Sequence, residues 1–236
     1  MDQTTIIIIA GAFLLLLCFL LTIASFSGDK FMTEYQKLFV KTTRTPYTVT
    51  AFLNILNTKY FENQVQVMPI DTPGGDFYNS KKRLAGLYIA GQTSLASFAV
   101  VAHELGHAYQ DLVEHQLRKF HSLRRFGGFI GKLFLPIVIA TIIALFFVEN
   151  YVLLLMCSAI SIVVIILLAI IIKAKTIAIE KDASNRGLEL LSEFLPDDEI
   201  KLCKKLLDSA RLTYWGDLIK LLLGWSGLTN KTEMFK

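Results

Sequence analysis

His103-Glu104-Leu105-Gly106-His107 places two of the chain's four histidines four residues apart, with a glutamate beside the first. On a helix, residues i and i+4 share a face and sit one turn apart, about 6 Å along the axis. Two imidazole nitrogens at that spacing can converge on one metal ion at ~2.0–2.1 Å. Glu104 lies one step round the helix and can reach a water held by that ion without entering the coordination sphere. A zinc ion lowers the pKa of such a water toward ~7, and a glutamate can take its proton and pass it to a leaving amine. The pattern points to hydrolytic zinc chemistry, with His103 and His107 as ligands and Glu104 as catalytic base.

Two histidines four apart also occur on solvated helix faces, but the flanks here argue otherwise. Ser94 to Val101, SLASFAVV, is apolar, so the helix enters the motif from a buried environment. Buried His and Glu side chains need partners, and a metal supplies one for both histidines. Gly106 costs roughly 1 kcal/mol relative to Ala inside a helix. It makes sense where something approaches the backbone closely. His115 and His121 lie in a basic polar stretch and read as solvated.

A catalytic zinc takes a third protein ligand and keeps one position open. Glu180 and Asp182 both stand in the stretch that follows the last long apolar run, where Ala178 and Ala183 leave room for another helix. Glu180 is the nearer to that run.

These residues are carried by a chain that is 53% hydrophobic, with a net charge of +4. That is too apolar for an ordinary soluble domain and implies membrane spans with a modest soluble part. The basic residues flank apolar runs, so the charge speaks of membrane topology before nucleic acid; no nucleic-acid-binding motif is visible and no nucleic-acid partner is expected. Cys18 and Cys157 lie in apolar runs and Cys203 in an amphipathic stretch, so there is no disulfide framework and a reducing compartment fits.

Ile6 to Phe26 is uncharged and long enough to cross ~30 Å of hydrocarbon. It lacks the basic start and short core of a signal peptide and reads as a retained anchor. Leu133–Val148, extended back to Phe129, and Tyr151–Ile172 are separated only by Glu149-Asn150 and read as a transmembrane hairpin. Lys30, Lys37, Lys41 and Arg44, then Arg118–Arg125, then Lys173 and Lys175 all fall on one side of these spans. The positive-inside rule puts that side in the cytosol and the N-terminus outside. The expected organisation is an anchor over 1–27, a cytosolic part with the zinc helix over 28–128, the hairpin over 129–172, and a cytosolic helical part over 173–236.

Within the cytosolic parts, Thr45 and Pro46 look like the N-cap and first turn of a helix running to Tyr60. VQVMP and RLAGLYI read as short strands around a turn-rich DTPGGDFYNSKK. A long helix is expected from Ser94 to about Arg118, another from Ala174 to Leu195, and a third after Pro196. Leu218–Leu228 is too short to span a bilayer and reads as interfacial or packed on the hairpin.

Four stretches carry a family likeness: DFYNSKKRLAGL, SLASFAVVAHELGHAYQ, EKDASNRGLELL and LLDSARLTYW. In order and spacing they resemble the YugP-type bacterial membrane zinc metallopeptidases over nearly the whole chain. The resemblance implies a mainly α membrane protein with a zincin-like α+β cytosolic part and a small β-hairpin or sheet. It implies one Zn2+ per chain in a gluzincin-type site, with His103, His107 and Glu180 as ligands and Glu104 as base. Asp182 matches a family aspartate and is the alternative ligand or a supporting residue. The position four after the ligand glutamate, an aspartate in other membrane gluzincins, is Ser184 here. Gly187 replaces a usual alanine.

The expected function is a membrane-embedded zinc endopeptidase at the cytosolic face of a bacterial plasma membrane. Its substrates would be membrane or membrane-proximal proteins, held along an edge strand at Arg83–Ile89. Tyr78, Tyr109, His115 and His121 are candidates for stabilising the oxyanion. The alternative is a zinc-stabilised membrane scaffold or adaptor, which would keep the ligands but not need Glu104.

Overall fold

The computed structural model describes residues 28–73, 75–88, 92–115, 117, 125–126, 128–130, 132–144 and 151–222, together with 15, 19 and 22. Apart from Leu15, Phe19 and Thr22, the expected anchor at Ile6–Phe26 lies outside the described residues, as do the hairpin turn at Glu149-Asn150, His121 and most of Leu218–Leu228. The chain is mainly helical with one small sheet. Its named elements are α1 (Val49–Phe61), β1 (Gln66–Pro69), β2 (Phe77–Asn79), β3 (Leu84–Leu87), α2 (Leu95–Leu112), α3 (Phe134–Ala144), α4 (Tyr151–Leu191) and α5 (Asp197–Leu222).

Helix α2 is the hub. It packs on α1, β2, β3, α4 and α5, most extensively on α4, and its residues are buried on nearly every side. Its apolar first half, Leu95 to Val101, supplies the burial that holds it there. Phe98 meets Phe52 of α1 at 5.3 Å between ring centroids, and Phe52 meets Phe194 after α4 at 5.0 Å. Ser94 stands at the N-cap, as the sequence implies, but its side chain makes no capping bond. The strap before α1 does this instead: the Leu95 amide donates to the Lys41 carbonyl and the Thr43 amide to that of Thr93. At the other end α2 stops at Leu112, short of Arg118. His115 takes up a left-handed conformation, and its Nδ1 donates to the Asp111 carbonyl at 3.1 Å.

Helix α1 also begins later than the sequence implies. Thr48, not Thr45, is the N-cap, accepting from the Ala51 amide at 3.1 Å. The residues before it have another task. Thr43 Oγ1 donates to Glu199 Oε2 at 2.6 Å, the Arg44 amide and Nε each donate to Glu199 Oε1 at 3.1 Å, and Arg44 also pairs with Asp198. These bonds fasten the strap to the acidic first turn of α5, where negative charge also suits the helix dipole.

The sheet has the order β1-β3-β2, with β1 parallel and β2 antiparallel to β3. Phe77-Tyr78-Asn79 is thus a strand inside a stretch that reads as a turn. The strand expected at the edge, Arg83–Ile89, is instead the sheet's centre: Leu84–Leu87 pairs on both sides, so its backbone is committed. The register explains Gly86, which faces Phe77 across the ladder. A Cβ there would sit 2.3 Å from the Phe77 ring.

The third apolar run and the helix expected after it form one helix, α4, which ends at Leu191. Met156–Leu191 is long and apolar enough to cross a membrane. Leu153, Met156, Ile160, Val163, Val164, Leu167 and Ile171 stand exposed along it. An exposed apolar surface of that extent is unfavourable in water and natural in lipid. Helix α3 packs alongside α4, and Thr141 Oγ1, which donates to the Ile137 carbonyl, accepts from Ser158 Oγ at 2.8 Å between them.

Candidate metal centre

The site is made where α2 crosses the far end of α4, and small residues set how close that crossing is. A Cβ placed on Gly106 would lie 2.1 Å from the Ala183 carbonyl oxygen, and one on Gly187 would lie 2.6 Å from that of Ala102. The helices therefore touch backbone to backbone at two points one turn apart. Gly106 has the close neighbour that its place in a helix implies. Gly187 in place of alanine is a matching half of the same contact. Ala183 lines the crossing as expected, whereas Ala178 faces outward.

This contact brings Glu180 against the face of α2 that carries both histidines. Glu180 Oε2 lies 3.3 Å from His103 Nε2 and 3.0 Å from His107 Nε2. One donor atom from each of the three falls within 4.8 Å of the others. Donors held at ~2.0–2.1 Å around a tetrahedral ion are about 3.4 Å apart, close to the two separations from Glu180. Two neutral nitrogens and one carboxylate oxygen are also a zinc donor set. All three side chains are largely buried, so a cation here would replace solvent that the groups have already lost.

The outer ring nitrogens are engaged as well. Ser184 Oγ donates to the Glu180 carbonyl at 2.8 Å, so it accepts from His103 Nδ1, 3.1 Å away. Gln110 Oε1 accepts from His107 Nδ1 at 3.0 Å. Each histidine is thereby turned with Nε2 toward Glu180, the orientation a ligand requires.

Without a metal, Glu180 and His107 act as an ion pair. Burial pushes against charge on Glu180, but His107 and His103 outweigh it and hold the carboxyl well below its usual range. Burial likewise opposes charge on His107. The Glu180 carboxylate, helped by Glu104 and Gln110, overrides it and lifts the imidazole to about 9. Glu104 is itself buried on α2, close enough to His107 to add to that rise.

The family described as "Putative neutral zinc metallopeptidase" matches residues 8–224. The chain belongs to this family. No curated protein and no solved structure matches it. The family's description names the ion that the donor set of this metallopeptidase homologue fits.

The other sequence candidates fall elsewhere. Asp182 stands outside the cluster, its Oδ2 accepting from Gln110 Nε2 at 2.8 Å. Tyr78 donates to the buried Asp111 at 3.0 Å, and His115 is occupied by its cap on α2. Tyr109 lies under the Arg186 guanidinium, 5.5 Å from ring centroid to Cζ. Sequence reasoning passed over Gln110. The signal available was its place three residues after His107 on the same helix face.

Proposed function

We propose that the protein is a zinc-dependent endopeptidase seated at the cytosolic face of a bacterial plasma membrane. The observation that carries this reading is the convergence of His103, His107 and Glu180 in one buried cluster, with Glu104 on the same helix. These three residues would hold one zinc per chain. When bound, the ion supplies a Lewis acid that acidifies water and polarises a peptide carbonyl. Glu104 takes the proton released from the attacking water and delivers it to the leaving amine. Its burial keeps bulk water from competing for that proton. Ser184 and Gln110 keep the imidazoles turned toward the site throughout.

The membrane placement rests on the apolar runs and the charges beside them. Three spans, with the N-terminus outside, put every lysine- and arginine-rich flank in the cytosol. Glu180 lies eight residues beyond Ile172 on the continuous helix α4, about 12 Å along its axis. The site is then close to the bilayer surface, and membrane or membrane-proximal proteins are the substrates within reach.

Glu104→Gln tests the enzyme reading. The variant should bind zinc as the parent does, while cleavage of a membrane-protein substrate in proteoliposomes falls at least ~100-fold. Unchanged cleavage would remove Glu104 from the mechanism.

A further inference from the structure

Gln110 is only 2% exposed, yet every polar atom of its amide has a partner. Nε2 donates to the Ile179 carbonyl at 3.0 Å and to Asp182 Oδ2 at 2.8 Å. Oε1 faces His107 Nδ1 at 3.0 Å. The two groups facing Nε2, a backbone carbonyl and a carboxylate, can only accept. Turning the amide over would set oxygen against oxygen at both places and lose both hydrogen bonds. The orientation of Gln110 is therefore dictated by α4. An oxygen must face His107, so Nδ1 must carry the hydrogen, and Nε2 is the atom left to face Glu180.

Asp182 is the part of this arrangement that can be replaced without opening the core. Its side chain is 40% exposed, and Arg186 Nε approaches Oδ1 at 4.0 Å from the next turn. Arg186 is itself anchored by Glu114 at 2.6 Å and by the Tyr109 ring. Asp182 is not one of the cluster's donor groups.

We propose that Asp182 and Gln110 are positioning residues: Asp182 orients the Gln110 amide, and Gln110 holds His107 in the Nδ1–H form with Nε2 presented to the metal. The inference rests on the zinc-site reading given above. It assigns Asp182 a role through Gln110, in place of the direct ligand role weighed from the sequence. Helix α4 then supplies a ligand, Glu180, and also the groups that aim both ligands of α2, through Ser184 for His103 and through Asp182 for His107.

The test is the zinc dissociation constant of the full-length protein in detergent, measured by chelator competition, with the metal-free melting temperature beside it. Gln110→Leu should weaken zinc by about 10- to 100-fold, the range for losing the partner of a ligating histidine. Asp182→Ala should weaken it by about 10-fold. Asp182→Asn keeps an acceptor oxygen and should stay within about threefold of the parent. Because Asp182 acts through Gln110, adding Asp182→Ala to Gln110→Leu should change nothing further. Asp182→Ala that binds zinc like the parent, or lowers only the melting temperature, overturns the inference. So does an additive double variant. Should Gln110→Leu fail to fold, the Asp182→Ala and Asp182→Asn pair decides alone, equal affinities counting against the relay. A parent protein that takes up no zinc would instead sink the zinc-site reading itself.

Discussion

Replacing Gly106 with alanine adds one methyl group at the tightest point of the α2–α4 crossing. The new Cβ would lie 2.1 Å from the Ala183 carbonyl oxygen, 2.9 Å from its carbon and 3.2 Å from Cα. All three are backbone atoms, so no side chain can rotate away. An ordinary contact between carbon and oxygen is roughly 3.3 Å, so the helices must separate by about 1.2 Å locally. Helix propensity favours the substitution by about 1 kcal/mol. Overpacking opposes it by about 1–3 kcal/mol, and the second close contact at Gly187 leaves little room to relax. The net expectation is a loss of about 1 kcal/mol. The effect on the site should be larger than that on the fold. Ala183 is one turn from Glu180 on α4, and metal sites tolerate ligand shifts of only about 0.2 Å. Zinc affinity should therefore fall at least ~10-fold. Thermal unfolding of the metal-free protein and chelator competition for zinc would read the two effects separately. Gly128→Ala is the control: among the described residues nothing lies within 4 Å of its Cβ position, so propensity is the expected effect there. Gly106→Ala with the parent's melting temperature and zinc affinity would refute the close crossing as the device that positions Glu180.

Two further perturbations follow from the same packing and charges. In metal-free protein, His107 is held up at about 9, so its contribution to stability is whole below its ordinary 6.5 and fades as pH rises through 9. Glu180 is held low, so its contribution is present above its ordinary 4.5 and is lost as pH falls below it. Melting temperature after chelation should thus be highest between about pH 4.5 and 6.5; a value still climbing from pH 6.5 to 9 contradicts the pairing. Glu199→Ala should cost about 3 kcal/mol in denaturant unfolding, because it strips the Thr43 hydroxyl and the Arg44 amide of a buried acceptor. The same variant should leave zinc affinity unchanged, and a parallel loss of zinc would mean that the strap and the metal centre are coupled.

The clustering of the candidate residues was legible where its logic is local. His103, Glu104 and His107 depend only on helical spacing, and Glu180 on its nearness to the end of an apolar run. Gly106 announced a close neighbour because glycine is costly in mid-helix. What could not be read depends on partners distant in the chain. Thr45 resembles a cap, but its segment is held by Glu199, 155 residues beyond Arg44, and the cap passes to Thr48. Phe77-Tyr78-Asn79 lies among glycines and a proline and becomes a strand only because β3 pairs with it. The parallel pairing of β1 with β3 moved the expected edge strand to the centre. Gln110 looks like a solvated polar residue until α4 buries it. Asp182 and Glu180 are two residues apart and chemically alike, and only the rotation of α4 separates the one at the cluster from the one on Gln110.

The most direct measurement of the central claim is the metal content of detergent-purified protein, prepared without chelators, beside Glu180→Ala. The account predicts about one zinc per parent chain and its loss, or a large drop in affinity, in the variant. Equal zinc in both would move the third ligand away from Glu180. A folded parent that holds no zinc, even after zinc is supplied, would contradict the account outright.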